Sequence, residues 1–325
     1  MKKLLAKVAA VIISVVLVAI LLSQISIGVV AKTLTSINPI YLIIGFIFYL
    51  CSYFFRALRF NILLNNKVSI KDLFAIVCVH NMANNLLPAR TGEVSYVYLS
   101  KKLHNISTGE GIASLMIARV FDLITISLLF FVAALYVRGL PPMIDKVIWI
   151  IAGFMVLVVS MLIGLVYFGE KFLRVIKNII LRLGGNRFQV AEYLLRKGSE
   201  TVESFGMVKS RMVVIWCGLA SVMVWLLLYL ANYVLVNAMY INLGVWAVIL
   251  GSTFAIFTTI LPIQSLGGFG TLEGGWAIGF MVVGVSKEIA ISSGFAVHII
   301  GFIYFLVMGL YGLLLIKLNR EVKKL

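Results

Sequence analysis

The chain has 325 residues, 62% of them hydrophobic and only 12% charged, with a mean hydropathy of +1.10. That is more apolar surface than a soluble core of this size can bury, so the composition excludes a soluble globular protein and points to an integral membrane one. The net charge of +16 does not indicate nucleic acid, because the basic residues flank apolar runs instead of forming a soluble patch with interleaved aromatics.

The chain opens with Met1-Lys2-Lys3, a basic start like that of a signal peptide. Its apolar run from Val8 to Leu22 continues without a small-residue cleavage site, which predicts a retained first helix. Apolar windows long enough to span a bilayer lie at about 8–30, 39–58, 110–137, 146–168, 211–238 and 288–316. Two further apolar segments, 72–102 and 245–285, are interrupted by Pro, Gly and Glu and read as helical hairpins that enter the membrane and turn back within it. The expected fold is therefore an all-α integral membrane protein with about six spanning helices and two re-entrant hairpins. The alternative is eight spanning helices; against it, 270–284 is Gly-rich and short of the roughly 20 residues a span needs.

Charge sets the expected orientation. With a cytoplasmic N-terminus, Lys2, Lys3, Lys7, Arg56, Arg59, Lys67, Lys71, Lys101, Lys102, the basic residues from Lys171 to Arg211, and Lys317, Arg320, Lys323 and Lys324 all fall inside. Lys32, Arg138, Lys146 and Lys287 fall outside, and Arg90 and Arg119 lie at membrane depth. This satisfies the positive-inside rule in a cell membrane with both termini cytoplasmic. The stretch 171–209 mixes Lys and Arg with Phe, Leu, Ile and Val and reads as a cytoplasmic amphipathic connector, broken near Gly184-Gly185-Asn186. It divides a single polytopic domain, 1–325, into a first half, 1–168, and a second, 211–325.

The first hairpin then enters from the cytoplasm and the second from outside, an inverted-topology repeat of the kind in which transporter sites form near the midplane. Asn105-Ile106-Ser107 and the helix running to Arg119 match Gly284-Val285-Ser286 and the helix carrying His298 at an offset of 179 residues. Each hairpin repeats one pattern: Leu87-Pro88 before Thr91-Gly92-Glu93, and Leu261-Pro262 before Thr271-Leu272-Glu273. Pro88 and Pro262 break the entering arms, with Gly92 and Gly270 at the turns. The second arms present free amides and a positive dipole end, an anion site that Asn84, Asn85, Arg90, Thr91, Gln264, Ser265, Gly267, Gly268 and Thr271 would line. A charge at the bilayer centre costs about 2.5–3.5 kcal/mol, which marks Glu93 and Glu273 as site candidates. The alternative, a glutamate that only complements the dipole of a helix start, requires no burial in the membrane. Arg119 and Asp122, three apart, share a face and are expected to pair with each other and with a hairpin, either as a structural lock or as a substrate contact.

No Ser-His-Asp arrangement, HExxH, P-loop or dinucleotide motif stands in suitable context, and no catalytic residue is assigned. Cys51, Cys78 and Cys217 are isolated, and His80, His104 and His298 are scattered, so neither a metal nor another cofactor is expected.

Three pieces carry a family resemblance: Leu87-Pro88-Ala89-Arg90-Thr91-Gly92-Glu93, Arg119-Val120-Phe121-Asp122-Leu123, and Leu261-Pro262 through Gly267-Gly268-Phe269-Gly270 to Glu273 followed by Gly284-Val285. In order and spacing the chain resembles the flippase-like family named after the membrane region of lysylphosphatidylglycerol synthase. The resemblance implies a membrane region that handles lipid; the aminoacyl transfer of the full-length synthase belongs to a soluble C-terminal domain, and this chain stops at Leu325. It departs from the family pattern at Ala118, where an acidic residue would be expected before the Arg. The leading expectation is translocation of a phospholipid or polyprenyl-phosphate-type lipid with an anionic or aminoacylated headgroup. Arg90, Arg119 and the helix-end amides would hold phosphate, while Glu93, Glu273 and Asp122 would meet cationic headgroup parts or protons. The alternatives are a membrane component of lipid aminoacylation working with a soluble lipid-modifying enzyme, and a small-solute transporter.

Overall fold

The computed structural model describes residues 16–87, 92–137, 146, 148–157, 160, 168, 171, 210–260 and 266–322. All regular structure among them is helical: α1 (Val16–Leu22), α2 (Ile27–Thr35), α3 (Pro39–Leu63), α4 (Ile70–Leu86), α5 (Glu93–His104), α6 (Thr108–Tyr136), α7 (Ile148–Leu157), α8 (Arg211–Ala238), α9 (Val245–Ile260), α10 (Thr271–Val282) and α11 (Lys287–Val322), with a 3-10 turn at Leu266–Gly268.

Local chemistry sets the boundaries. Asn38 caps α3 by accepting from the Ile40 amide, with Pro39 in the first turn where its missing N–H costs nothing. Ser107 and Glu110 form a reciprocal capping box at the start of α6. Asn105, at φ 57°, ends α5 in a left-handed residue, and Gly284, at φ 91°, follows α10 at the matching place.

Four helices, α3, α6, α8 and α11, are long and apolar enough to cross a membrane, and a fifth span results if α1 and α2 are one broken crossing. Spans at 39–58, 110–137, 211–238 and 288–316 therefore agree with the sequence reading. The expected span at 8–30 is not one straight helix, because α1 and α2 meet at 82°. Ser23 Oγ and Gln24 Nε2 both donate to the Ile20 carbonyl, which ends α1 before Ser26 starts the next helix. Of 146–168 only part is described, as α7, and the connector expected over 171–209 lies almost wholly outside the described residues.

The two interrupted segments each form a pair of antiparallel helices. In the second, Gly279 lies against Gly251 and Gly275 against Ala255 and Phe254. A Cβ on Gly279 would fall 2.0 Å from the Gly251 carbonyl oxygen, so only glycine permits this crossing of α9 and α10. In the first, Gly92 sits against the backbone of Ala83 and Asn84, and Tyr96 against His80. The arms contain 17, 12, 16 and 12 residues. At a rise of about 1.5 Å per residue each is about 18–26 Å long, shorter than the roughly 30 Å hydrocarbon core.

The helices pack in matched pairs. The central contact is α3 against α8; α4 packs on α11 as α9 packs on α6; and α5 contacts α4 and α6 as α10 contacts α9 and α11. Single bonds repeat as well. Tyr96 Oη and Ser114 Oγ lie 3.1 Å apart between α5 and α6, and Trp276 Nε1 donates to Ser293 Oγ at 3.1 Å between α10 and α11. These positions are related by offsets of 180 and 179 residues. The outer surface is apolar, as in the Ile303, Val307, Leu310 and Leu314 stripe of α11, whose four-three-four spacing keeps one face exposed.

Candidate functional site

Two charge clusters are built on this framework. The first joins α3, α5, α6 and α8. Arg59 donates to Asp122 through both guanidinium nitrogens, Nη1 to Oδ1 at 2.6 Å and Nη2 to Oδ2 at 3.2 Å, and Nη1 also donates to Ser221 Oγ at 2.7 Å. Trp225 Nε1 donates to Asp122 Oδ1 at 2.8 Å. The side chains of Arg59 and Asp122 are 2% and 5% exposed. This is a closed lock: a planar guanidinium fork matched to a carboxylate, with Ser221 Oγ and Trp225 Nε1 as neutral partners and Arg59 Nε buried without one among the described residues.

Beside the lock, and more open, is a second ion pair. Arg119 Nη2 donates to Glu93 Oε1 at 2.8 Å, with the two side chains 28% and 32% exposed. Arg119 Nη1 is 4.0 Å from Asp122 Oδ2, so the pair touches the lock edge-on. Glu93 and Arg119 line a cavity of about 190 Å³ with Val94, Val97, Ile112, Leu115 and Met116. Along α6, Arg119 lies nine residues beyond Glu110, which is bonded to Lys67 at the helix start. Nine residues are about 14 Å of helix, close to half the thickness of a hydrocarbon core.

The second cluster occupies the matching place in the other half. Glu273 is fully buried. Its Oε2 accepts from the Gly270 amide at 2.7 Å, closing the start of α10, and its Oε1 lies 2.7 Å from His298 Nδ1 on α11. His298 Nε2 meets the Gly267 carbonyl at 3.0 Å, and Phe269 lies over the ring with centroids 4.4 Å apart. Gly267, at φ 64°, adopts the left-handed conformation that brings this carbonyl to the ring. Glu93 with Arg119 and Glu273 with His298 are thus one arrangement repeated: an acid at the start of the second hairpin arm, bound to a base on the helix that follows.

Of the residues expected at the site, Glu93, Arg119 and Asp122 come together. Gly267, Gly268, Gly270, Thr271 and Glu273 gather in the second cluster, where Thr271 Oγ1 donates to the Gly268 carbonyl at 3.0 Å. The 3-10 turn at Leu266–Gly268 packs on α4, whose last turns carry Asn84 and Asn85. Asn85 Nδ2 donates to the Asn81 carbonyl at 2.8 Å, and Asn84 Oδ1 is buried without a hydrogen-bond partner among the described residues. Pro88, Arg90, Thr91, Pro262, Gln264 and Ser265 lie outside the described residues. Glu93 and Glu273 do not meet: Glu273 is sealed against His298, whereas Glu93 faces a cavity. A larger cavity, about 490 Å³, lies at the other end of the second half, between α2, the α8–α9 loop and the start of α11, and includes Asn242, Ser286, Glu288 and Ser292.

Two corrections follow. Arg59, counted by sequence with the cytoplasmic charges, is buried in the lock, because its partner Asp122 stands 63 residues away in the chain. His298, set aside as one of three scattered histidines, holds Glu273; the 179-residue offset that aligned its helix with the one bearing Arg119 was the available signal. Ser221 and Trp225 carried no such signal, since hydroxyl and indole groups are common in apolar helices.

A sequence model of the family described as the lysylphosphatidylglycerol synthase TM region matches residues 7–309. No curated protein and no solved structure matches the chain.

Proposed function

The chain belongs to the family of the lysylphosphatidylglycerol synthase transmembrane region, and from that premise we propose that it translocates lipid between the leaflets of the cell membrane, taking the headgroup at the Glu93–Arg119 pair. The observation that carries this reading is the contrast between the two ion pairs on α6. Arg59 and Asp122 are closed off, with side chains 2% and 5% exposed, whereas Arg119 and Glu93 are 28% and 32% exposed and line a cavity whose other side chains are apolar.

An exposed pair of opposite charges in an apolar cavity suits an amphiphile. A lipid phosphate binds Arg119, and the ammonium of an aminoacylated or amine-bearing headgroup binds Glu93. Both charges are then satisfied while the pair opens. Acyl chains stay against Val94, Val97, Ile112 and Leu115, so the headgroup alone passes through polar surroundings. Phospholipid and polyprenyl-phosphate-type lipids both meet these requirements. The matched packing of the two halves supports an inverted repeat with two re-entrant hairpins as the scaffold of that movement.

The test is reconstitution into phosphatidylglycerol and phosphatidylethanolamine vesicles, with labelled phospholipid and polyprenyl-phosphate lipid followed between leaflets. Movement above protein-free vesicles that is lost in Glu93→Gln and Arg119→Gln supports the reading. No movement of any lipid across the panel refutes it.

A further inference from the structure

We propose that Glu273 and His298 form a one-proton binding site that latches the tip of the second hairpin, so that a proton is the coupling ion. The Gly267 carbonyl can only accept, so His298 Nε2 must carry a hydrogen to make its 3.0 Å contact. The 2.7 Å contact between Nδ1 and Glu273 Oε1 needs a second hydrogen between those atoms. That hydrogen belongs either to an imidazolium facing a carboxylate or to a carboxylic acid facing a neutral ring. In both forms the pair is electrically neutral, which its complete burial favours.

When that hydrogen leaves to water, the pair carries one negative charge and the neutral ring has one N–H for two acceptors. Either Nε2 keeps its bond to Gly267 and the Nδ1 lone pair faces the carboxylate, or Nδ1–H keeps Glu273 and the Nε2 lone pair faces the carbonyl. One bond is lost in each case. The Leu266–Gly268 turn is what the ring ties to α11, and this turn packs on α4 of the first half. The charged carboxylate is the stronger acceptor, so Nδ1–H keeps Glu273 and the bond to Gly267 is the one lost, which frees from α11 the turn that packs on the first half.

Among the described residues, Glu273 is the titratable partner bonded to the ring. The other charged groups on the elements packed around it are engaged elsewhere or stand at helix ends. Lys287 and Glu288 start α11, about 15 Å of helix away. Lys71 and Asp72 start α4, where Asp72 accepts from Asn319. His80 faces Tyr96, Arg56 reaches Asn81, Arg59 holds Asp122, and Lys32 ends α2. Val16–Leu22 and Val245–Ile260, which flank α10, contain no charged side chain.

The proton site stands on this geometry alone; its use in coupling rests on the lipid-translocation reading, and the two are tested separately. Glu273→Gln is the informative variant, because its amide nitrogen donates to Nδ1 and its oxygen accepts from Gly270, imitating the protonated pair with no proton to lose. In the first arm, hydrogen–deuterium exchange of residues 266–270 is followed in lipid nanodiscs as pH rises, after division by the intrinsic exchange rate. Wild type is expected to lose protection by about tenfold, the equivalent of one hydrogen bond, while Glu273→Gln stays protected and His298→Ala is open throughout. Equal exchange in wild type and Glu273→Gln at every pH overturns the site. In the second arm, an imposed pH gradient biases the leaflet distribution of labelled lipid in wild-type vesicles, and the bias is lost in Glu273→Gln. Wild-type movement indifferent to the gradient overturns the coupling and leaves translocation standing. Absence of any movement overturns translocation, and the exchange arm then decides the site by itself.

Discussion

Replacing Asp122 with Ala removes the carboxylate that holds a fully buried guanidinium. Arg59 then loses both of its bonds to Asp122 and keeps only Ser221, while Trp225 Nε1 loses its acceptor. Removing one partner of a buried pair costs about 3–5 kcal/mol, because the remaining charge stays dehydrated and uncompensated. The same substitution at Arg119 should cost less, since the Arg119 and Glu93 side chains are 28% and 32% exposed against 2% and 5% for Arg59 and Asp122. The third member of the series is the double variant Arg59→Met/Asp122→Leu, which removes both charges and fills the volume, and should recover most of the loss. Unfolding in detergent, followed by tryptophan fluorescence and by thermal aggregation, ranks the three. Arg119→Ala as destabilising as Asp122→Ala, or a double variant no more stable than Asp122→Ala, would contradict a buried lock at Arg59 and Asp122.

Three other outcomes are expected. Gly279→Leu, which drives a side chain into the Gly251 carbonyl, should destabilise by at least 1–3 kcal/mol by the usual cost of overpacking, whereas Gly274→Ala, with nothing within 4 Å, should be silent in the same unfolding assay. Gly267→Ala must hold φ 64°, which costs about 1–2 kcal/mol, and Gly267→Asn should cost less; a stability difference in the opposite order would contradict the left-handed turn. Lipid extracts from cells lacking the gene should show an unchanged lipid inventory with altered leaflet exposure, measured by outside labelling of amine lipids; loss of an aminoacylated lipid would instead favour a role in lipid modification.

How far the sequence could be read depended on whether a feature was local. The span expected at 211–238 coincides with α8 and that at 110–137 with α6 to within two residues, because apolar periodicity acts within a few residues. The α4 helix ends at Leu86, next to the break expected at Pro88, while Pro88 and Pro262 themselves lie outside the described residues. What escaped was the pairing across distance. Arg59 near a helix end looks like a cytoplasmic anchor until Asp122 is brought against it, and nothing in the residues around Arg59 says which way its side chain turns. His298 looks like a core histidine until Glu273 is folded back upon it. The internal offset was visible, and had it been applied to partners as well as to segments, Arg119 at Glu93 would have implied His298 at Glu273. The bend between α1 and α2 was hidden because Ser23 and Gln24 are tolerated in a straight span and act here through their bonds to Ile20.

On the proposed function, a lipid headgroup occupies the cavity at Glu93 and Arg119. Photolabelling of the protein in nanodiscs with a phospholipid carrying a diazirine in its headgroup, followed by peptide mapping, tests it most directly. Label is expected on the peptides spanning 93–97 and 112–119, reduced in Arg119→Gln and sparing the sealed Glu273–His298 cluster. Label confined to α10 and α11, or spread evenly over the outer helix faces with the Glu93–Arg119 peptides unmarked, would contradict it.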